Sequence, residues 1–433
     1  MKANFIARAV FVLLCAIIMI GTSPLGGPDP SGDGDGGGNI IRQIPLLLLM
    51  FTSFCLLTVR GAYRGLLALP IPFWIFFGWA LLTLTWSANP EVGLRRYILT
   101  FGETLSLCIL LRIIGVREAI RLLASLIFVL LIIDLLAVAA IPNAVHRPGE
   151  ADRELIGLWK GIHSHKNIAA SVASVGIFLG LTRAWVERST FNLTLAAVSV
   201  VMLVGTGSKT SMAMVPLCLL ALVVILAVKR FYGSRLLLRV ASLSVLMILV
   251  GCFVWYWAAI YQAITEPQFF TGRGMLWKVS LDYSAANPFG AGYGSFWDVG
   301  LSGPATETAG RRFAAYPHGH NGYFDTLVST GWVGLFTAIV ACMVWPLSKV
   351  SKQLISADRD YLFATAFLLY FLVHNVTEPS IFSGTRVEWP IFIVCVMLFQ
   401  ASAKRRVLQR RSSVAITRST RRGMLDSTEG KAA

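Results

Sequence analysis

Charge is scarce in this chain of 433 residues: 14% are charged, 56% are hydrophobic, and the mean hydropathy is +0.68. A soluble globular domain carries about a quarter charged residues. The polar surface that a water-soluble protein of this length needs is therefore missing. Cysteine is nearly absent from polar sequence, because Cys15, Cys55, Cys108, Cys218, Cys252, Cys342 and Cys395 all fall in apolar stretches. That leaves the loops without disulfides and excludes a thiolate metal site. No internal repeat is visible, and no glycine loop of the nucleotide-binding kind. No pair of carboxylates stands in a setting that suggests a covalent double displacement.

What the chain has is apolar length. Runs long enough to cross a hydrocarbon core of ~30 Å as a helix recur along most of it. Their positions predict an all-α, polytopic transmembrane protein of about 12 spans, at 5–22, 44–59, 66–86, 97–115, 122–141, 167–182, 191–206, 211–228, 240–260, 322–346, 361–377 and 387–401. The first is expected to be a retained helix rather than a signal peptide. The stretch Pro28 to Asn39 after it reads as a flexible outer loop.

A net charge of +16 and a pI near 9.8 invite a nucleic-acid reading, but the placement of the charges opposes it. With the N-terminus inside, 25 of the 38 Lys and Arg residues fall on the inner side, as the positive-inside rule expects of an N-in/C-in protein. The expected organisation is a transmembrane domain over 1–403 and a basic, disordered cytoplasmic tail over 404–433. Lys404-Arg405-Arg406 and Arg410-Arg411 in that tail suit anionic membrane lipid. Nucleic acid is not an expected partner, since aromatics and a fold to present them are absent there.

On this topology two outer loops are long, 142–166 and 261–321, and they hold five of the six histidines: His146, His163, His165, His318 and His320. His374 lies near the outer end of the eleventh span. Function on the outer face follows most simply. The second loop closes on His318-Gly-His320-Asn321-Gly-Tyr323, where a span begins. Asn321 or His320 there is placed to cap the helix, whose free N–H groups and positive dipole end suit an anion. The alternative is that the glycines and aromatics of this loop only shape an interfacial segment, with Trp and Tyr at the headgroups. A metal reading would join the two His-x-His pairs with Glu150, Asp152 and Glu154. It is disfavoured because zinc-binding helices usually offer i, i+4 pairs and a well-placed third ligand. Lys209, in the tight turn Gly205–Ser211, needs an anionic partner or must snorkel to the headgroups. Glu103 and Asp134, inside spans, read as buried structural groups.

The motifs Trp159-Lys-Gly-Ile-His-Ser-His-Lys-Asn167, Thr271-Gly-Arg-Gly-Met-Leu-Trp277, Asn287-Pro-Phe-Gly-Ala-Gly-Tyr-Gly-Ser-Phe-Trp297 and His320-Asn-Gly-Tyr-Phe-Asp-Thr-Leu-Val-Ser-Thr-Gly331 resemble, in that order, the O-antigen ligase/polymerase superfamily. Within it they are most like the ExoQ-type exopolysaccharide polymerases. Trp86-Ser-Ala-Asn-Pro90, Leu94-Arg95-Arg96 and Asn375-Val-Thr-Glu-Pro-Ser380 look like further pieces of the pattern. The resemblance implies a multi-span helical fold with a large periplasmic loop. It implies a substrate of oligosaccharide on undecaprenyl diphosphate, and glycosyl transfer without nucleotide sugar; the residues themselves point to no metal or organic cofactor. A chain-length regulator and export proteins are candidate partners.

Carried over residue by residue, the family's functional positions fall on His320, Arg273 and Lys209, with His165-Lys166-Asn167 on the same side. Lys209 departs from the family's usual arginine, which puts bidentate gripping of phosphate in question. The chemistry agrees with these roles. As the sugar–diphosphate bond breaks, negative charge grows on the leaving group, and fixed cations such as Arg273 and Lys209 lower that barrier. A neutral imidazole, His320, removes the proton of the acceptor hydroxyl. His318 is expected to position the loop, and Asn321, Arg95 and Arg96 to contact substrate.

Three readings remain from sequence. They are a polymerase that joins lipid-linked repeats, a ligase that moves a finished chain to lipid A core or protein, and a polysaccharide transporter or flippase. A transporter would show repeated halves and charges at the midplane, whereas charge here gathers in the outer loops. A polymerase must hold two diphosphate lipids, and Arg95, Arg96, Lys160, Lys166, Lys278, Arg311 and Arg312 lie outside against the general bias.

Overall fold

The computed structural model describes residues 2–21, 40–60, 68–147, 155–232, 257–266, 272–353 and 358–401. The first eight helices are α1 (Lys2–Ile20), α2 (Ile40–Arg60), α3 (Ile71–Thr83), α4 (Pro90–Ile114), α5 (Val116–Ala140), α6 (Lys166–Glu187), α7 (Thr190–Thr206) and α8 (Lys209–Tyr232). After them come α9 (Trp257–Thr265), α10 (Arg273–Ala286), α11 (Pro304–Ala309), α12 (Gly322–Ile339), α13 (Trp345–Gln353), α14 (Arg359–His374) and α15 (Glu388–Ala401). A π-helical turn, Val340–Val344, joins α12 to α13. Among the described residues no strand forms; Val145 and Trp159 make one isolated antiparallel bridge.

Among the described residues five helical segments are long and apolar enough to cross a membrane: Pro90–Ile114, Val116–Ala140, Lys166–Glu187, Lys209–Val228 and Gly322–Val350, the last kinked at Gly331. Five shorter apolar helices accompany them, among them Asn4–Ile20 and Glu388–Ala401. The class is a multi-pass helical membrane protein. Every expected span except 240–260 coincides with a helix; that one lies largely outside the described residues, as do the Pro28–Asn39 loop, Glu150, Asp152, Glu154, Thr271 and the tail over 404–433.

Local sequence explains the helix ends that matter. Proline opens α4 at Pro90, where its missing N–H costs nothing. Asn321 Oδ1 accepts from the amides of Tyr323 and Phe324 at 3.0 and 3.1 Å and so starts α12. The core helix is α6, whose residues from Ala169 to Gly180 are all buried. Gly176 and Gly180 let α7 approach closely, because a Cβ at Gly180 would lie 2.7 Å from the backbone of Ala196.

Polar groups inside the bundle act as pins. His163 Nε2 lies 3.1 Å from Asp134 Oδ2 on α5, and its Nδ1 lies 2.8 Å from Met19 O on α1. The amide of Ile162 donates to Asp134 Oδ1 at 2.9 Å. His163 thus fastens the segment before α6 to two helices, with Asp134 as its buried partner on α5. Glu103 is equally buried, and among the described residues neither carboxylate oxygen has a hydrogen-bond partner. At the far end of α6, Arg183 pairs with Asp360 at 2.9 Å, and Arg117 pairs with Asp358 and Asp360.

The long segment 261–321 is more than a loop. It carries α9, α10 and α11 and a hydrophobic core of its own, in which Leu276, Trp277, Phe296, Trp297 and Phe313 pack around Val328 of α12. Aromatic density decided this: five large apolar side chains in a short segment exclude water from each other and fold into a cap. The cap is locked to α12 at Gly331. That residue has φ 68° inside the helix, and a Cβ there would stand 2.3 Å from Pro288 O. The amides of Trp332 and Ala291 complete the lock, to Pro288 O at 3.0 Å and Val328 O at 2.8 Å.

Candidate active site

The residues singled out in the sequence gather at helix starts. Lys166 opens α6 with His165 as its N-cap, Lys209 opens α8, Arg273 opens α10, and His320-Asn321 immediately precede α12. The start of a helix is its positive dipole end, so four such ends in one place favour an anion.

The starts of α6, α10 and α12 meet at Glu378, in the polar break between α14 and α15. Its Oε1 accepts from Arg273 Nη2 at 2.9 Å and from Asn167 Nδ2 at 3.0 Å. Its Oε2 lies 3.4 Å from His320 Nδ1, and no other described residue bonds that nitrogen. Arg273 Nη1 donates to the carbonyl of Thr377. Ser208, one residue before Lys209, reaches Asn167 Oδ1 at 3.4 Å, which brings the start of α8 alongside. Lys209 itself is exposed. The amide of Gly322 donates to Asn375 O at 2.8 Å, joining the start of α12 to the same break; a Cβ at Gly322 would lie 2.2 Å from Asn375 Oδ1.

The loop that presents His320 is constrained twice. His318 Nδ1 accepts from the His320 amide at 3.2 Å, with the two rings 4.2 Å apart. Asp325 Oδ1 accepts from the Gly319 amide and from Trp297 Nε1, both at 2.9 Å. His320 thereby adopts φ 52°, a conformation uncommon for a non-glycine residue and frequent at functional positions.

Electrostatics at this centre run in one direction. Burial pushes the Glu378 carboxyl up, but His320, His318 and Arg273 together hold it well below the usual carboxylate range. Desolvation, then the charges of Arg386 and His320, hold His318 well below the ordinary imidazole value. His165 is pushed down to about 4 by desolvation and then by His146. Both histidines are neutral near pH 7, while Glu378 is ionised. His318, His320 and Glu378 each offer a ligand atom within 4.8 Å of the others, which a divalent cation could use. Arg273 already bonds one oxygen of that carboxylate and supplies positive charge there.

The remaining sequence candidates are placed differently. Arg96 donates to Gly294 O at 2.6 Å, Trp297 O at 2.9 Å, and Asp298 O and Oδ2 at 3.0 and 2.9 Å. Its guanidinium is taken up in holding the segment 294–298 to α4. Arg95 is partly exposed and lines a cavity nearby. Lys166 lies beside His146, whose Nε2 accepts the Lys166 amide at 3.3 Å. The sequence reading assigned no role to Glu378. Its sequence signals are its place in Asn375-Val-Thr-Glu-Pro-Ser380, a piece of the resemblance, and its position in a polar break between two apolar runs.

A multi-pass helical membrane protein with cations, histidines and one carboxylate at converging helix ends is the class these observations define. Residues 194–339 match the family model for O-antigen ligase, a stretch that includes Lys209, Arg273, His318, His320 and Asn321. The chain is also 26% identical to the exopolysaccharide production protein ExoQ of Rhizobium meliloti (strain 1021), over 80% of this chain and 84% of that protein. The resemblance read from the motifs is thus found again by both comparisons.

Proposed function

We propose that the protein polymerises undecaprenyl-diphosphate-linked oligosaccharide repeats into exopolysaccharide on the periplasmic face of the inner membrane. One observation carries the reading: Glu378 ties Arg273, His320 and Asn167 into one cluster at the starts of α6, α10 and α12, beside the start of α8. The acceptor hydroxyl attacks the anomeric carbon of the donor sugar, and its proton passes to His320. The sugar–oxygen bond to the diphosphate breaks, and its electron pair leaves with the diphosphate. Arg273 and Lys209 balance the charge that develops there. Glu378 stabilises the imidazolium formed on His320, as a carboxylate behind a general base does elsewhere. The long His320–Glu378 separation fits a resting site, since catalytic hydrogen bonds commonly shorten once substrate binds. A single displacement of this kind inverts the anomeric centre.

The ligase reading is the second, because the matching family model carries that description. Both reactions expel the same leaving group, so the acceptor separates them. Purified protein given only undecaprenyl-diphosphate-linked repeats is expected to build a ladder of longer lipid-linked glycans, without lipid A core, ATP or sugar nucleotide. A repeat that stays unextended until lipid A core is added would replace the polymerase with the ligase.

The reading also requires the site to face outward, on the side away from the basic tail. In a background without native thiols, cysteines at Ser164 and Ser302 should react with an impermeant thiol reagent added to spheroplasts. One at Ser351 should not. Labelling at Ser351 with none at Ser302 inverts the topology and separates the site from its substrate.

A further inference from the structure

Beside the Glu378 cluster lies a cavity of about 410 Å³, bounded by α4, the segment 293–298, α12 and the turn before α15. Pockets for small ligands span about 300–1,000 Å³, so it is of useful size. His318 lines it, and its ring lies 4.2 Å from that of His320. Pro379, next to Glu378, lines it too.

Three arginines reach this cavity, and they are employed differently. Arg96 is taken up by Gly294, Trp297 and Asp298. Arg95 and Arg386 are partly exposed, and among the described residues neither guanidinium has an ion pair or a side-chain hydrogen bond. The cavity's two carboxylates do not neutralise them by contact. Asp298 is bonded to Arg96, and Asp325 accepts from Gly319 and Trp297. Two partly buried guanidiniums from separate segments feel Asp298 and Asp325 only at a distance, without a direct bond, and their donors make a ready fork for an oxyanion.

The rest of the wall suits a sugar. Thr100, Thr326, Ser383 and Thr385 present hydroxyls, and Tyr293 and Trp297 present rings. The C–H face of a pyranose packs against such rings, while its hydroxyls exchange hydrogen bonds with the hydroxyl side chains. Arg386 and Ser383 lie outside the stretch 194–339 that matches the family model.

We propose that this cavity is a saccharide subsite selective for a glycan that carries an oxyanion, which Arg95 and Arg386 grip together. It rests on the proposed glycosyl transfer only for which molecule delivers that oxyanion. The source is either a carboxylate on a sugar of the repeat or a phosphoryl group of a lipid-linked substrate.

The test uses full-length protein in detergent micelles and two probes. Tetragalacturonate carries carboxylates and no lipid; farnesyl diphosphate carries a diphosphate and no sugar. Phenylglyoxal modification of Arg95 and Arg386, mapped by mass spectrometry, should slow about tenfold when one probe is present at ~10 times its Kd. Protection by tetragalacturonate assigns the site to an acidic sugar, and protection by farnesyl diphosphate assigns it to a lipid headgroup. Arg95→Gln and Arg386→Gln, each checked for an unchanged melting transition, should weaken the protecting probe by about tenfold or more. Because the protection measurement uses wild-type protein, it stands even where a variant fails to fold. His320→Ala should leave protection intact while removing turnover, which separates this inference from the reaction itself. Unchanged modification of both arginines with both probes overturns the proposal.

Discussion

His320→Ala is expected to lower the rate of polymer formation by about 10²- to 10⁴-fold with the protein still present in the membrane at its normal level. The acceptor hydroxyl is a poor nucleophile, and its proton must leave as the new bond forms. The side chain proposed to take it, His320, sits at φ 52°, with Glu378 behind its Nδ1. The fold does not need that imidazole. The loop is held instead by Asp325, by His318 and by the Asn321 cap. Loss of activity with retained expression is therefore the expected pair of results, read as initial rate of labelled glycan extension and as membrane abundance. Normal polymer from a well-expressed variant removes His320 from the role of base.

Arg273→Ala is expected to cost about 10²- to 10³-fold in the same assay, the usual loss when one preorganised group that stabilises developing charge is removed. Arg273 begins α10 and reaches across to Glu378 and Thr377, so it is fixed before substrate arrives. A fixed cation needs no reorganisation when the diphosphate leaves. Arg273→Lys should recover only part of the loss, because a single ammonium cannot hold Thr377 and Glu378 while facing a phosphoryl group. Full activity of Arg273→Ala, measured at equal protein level, contradicts the role.

Much of this was legible in the sequence, and for physical reasons. Apolar length reports helices in a membrane directly, since unpaired backbone groups are not tolerated there. Polar residues at the starts of apolar runs report helix caps, and that is where Lys166, Lys209, Arg273 and Asn321 stand. What pairwise spacing does not report is which of those ends share a partner. Asn167 and Glu378 are separated by 211 residues, and nothing local to either announces their bond at 3.0 Å. Arg96 illustrates the converse. It reads as an exposed cation, and only the three-dimensional path of Gly294, Trp297 and Asp298 around it shows its guanidinium enclosed. The segment 261–321 reads as a loop because its helices are short. Its core forms from apolar side chains spread from Leu276 to Phe313 and closed by Val328, a pattern without a single period.

The central claim is that Glu378, His320 and Arg273 act as one unit in glycosyl transfer from a diphosphate lipid. A double-mutant cycle on initial rates of extension, with Glu378→Gln, His320→Ala and their combination, tests it most directly. Groups that act as a unit are strongly non-additive. The account predicts that Glu378→Gln alone slows the reaction substantially, yet slows the His320→Ala protein by no more than about threefold. Multiplication of the two effects in the combined variant, or a Glu378→Gln protein as fast as wild type, would contradict it.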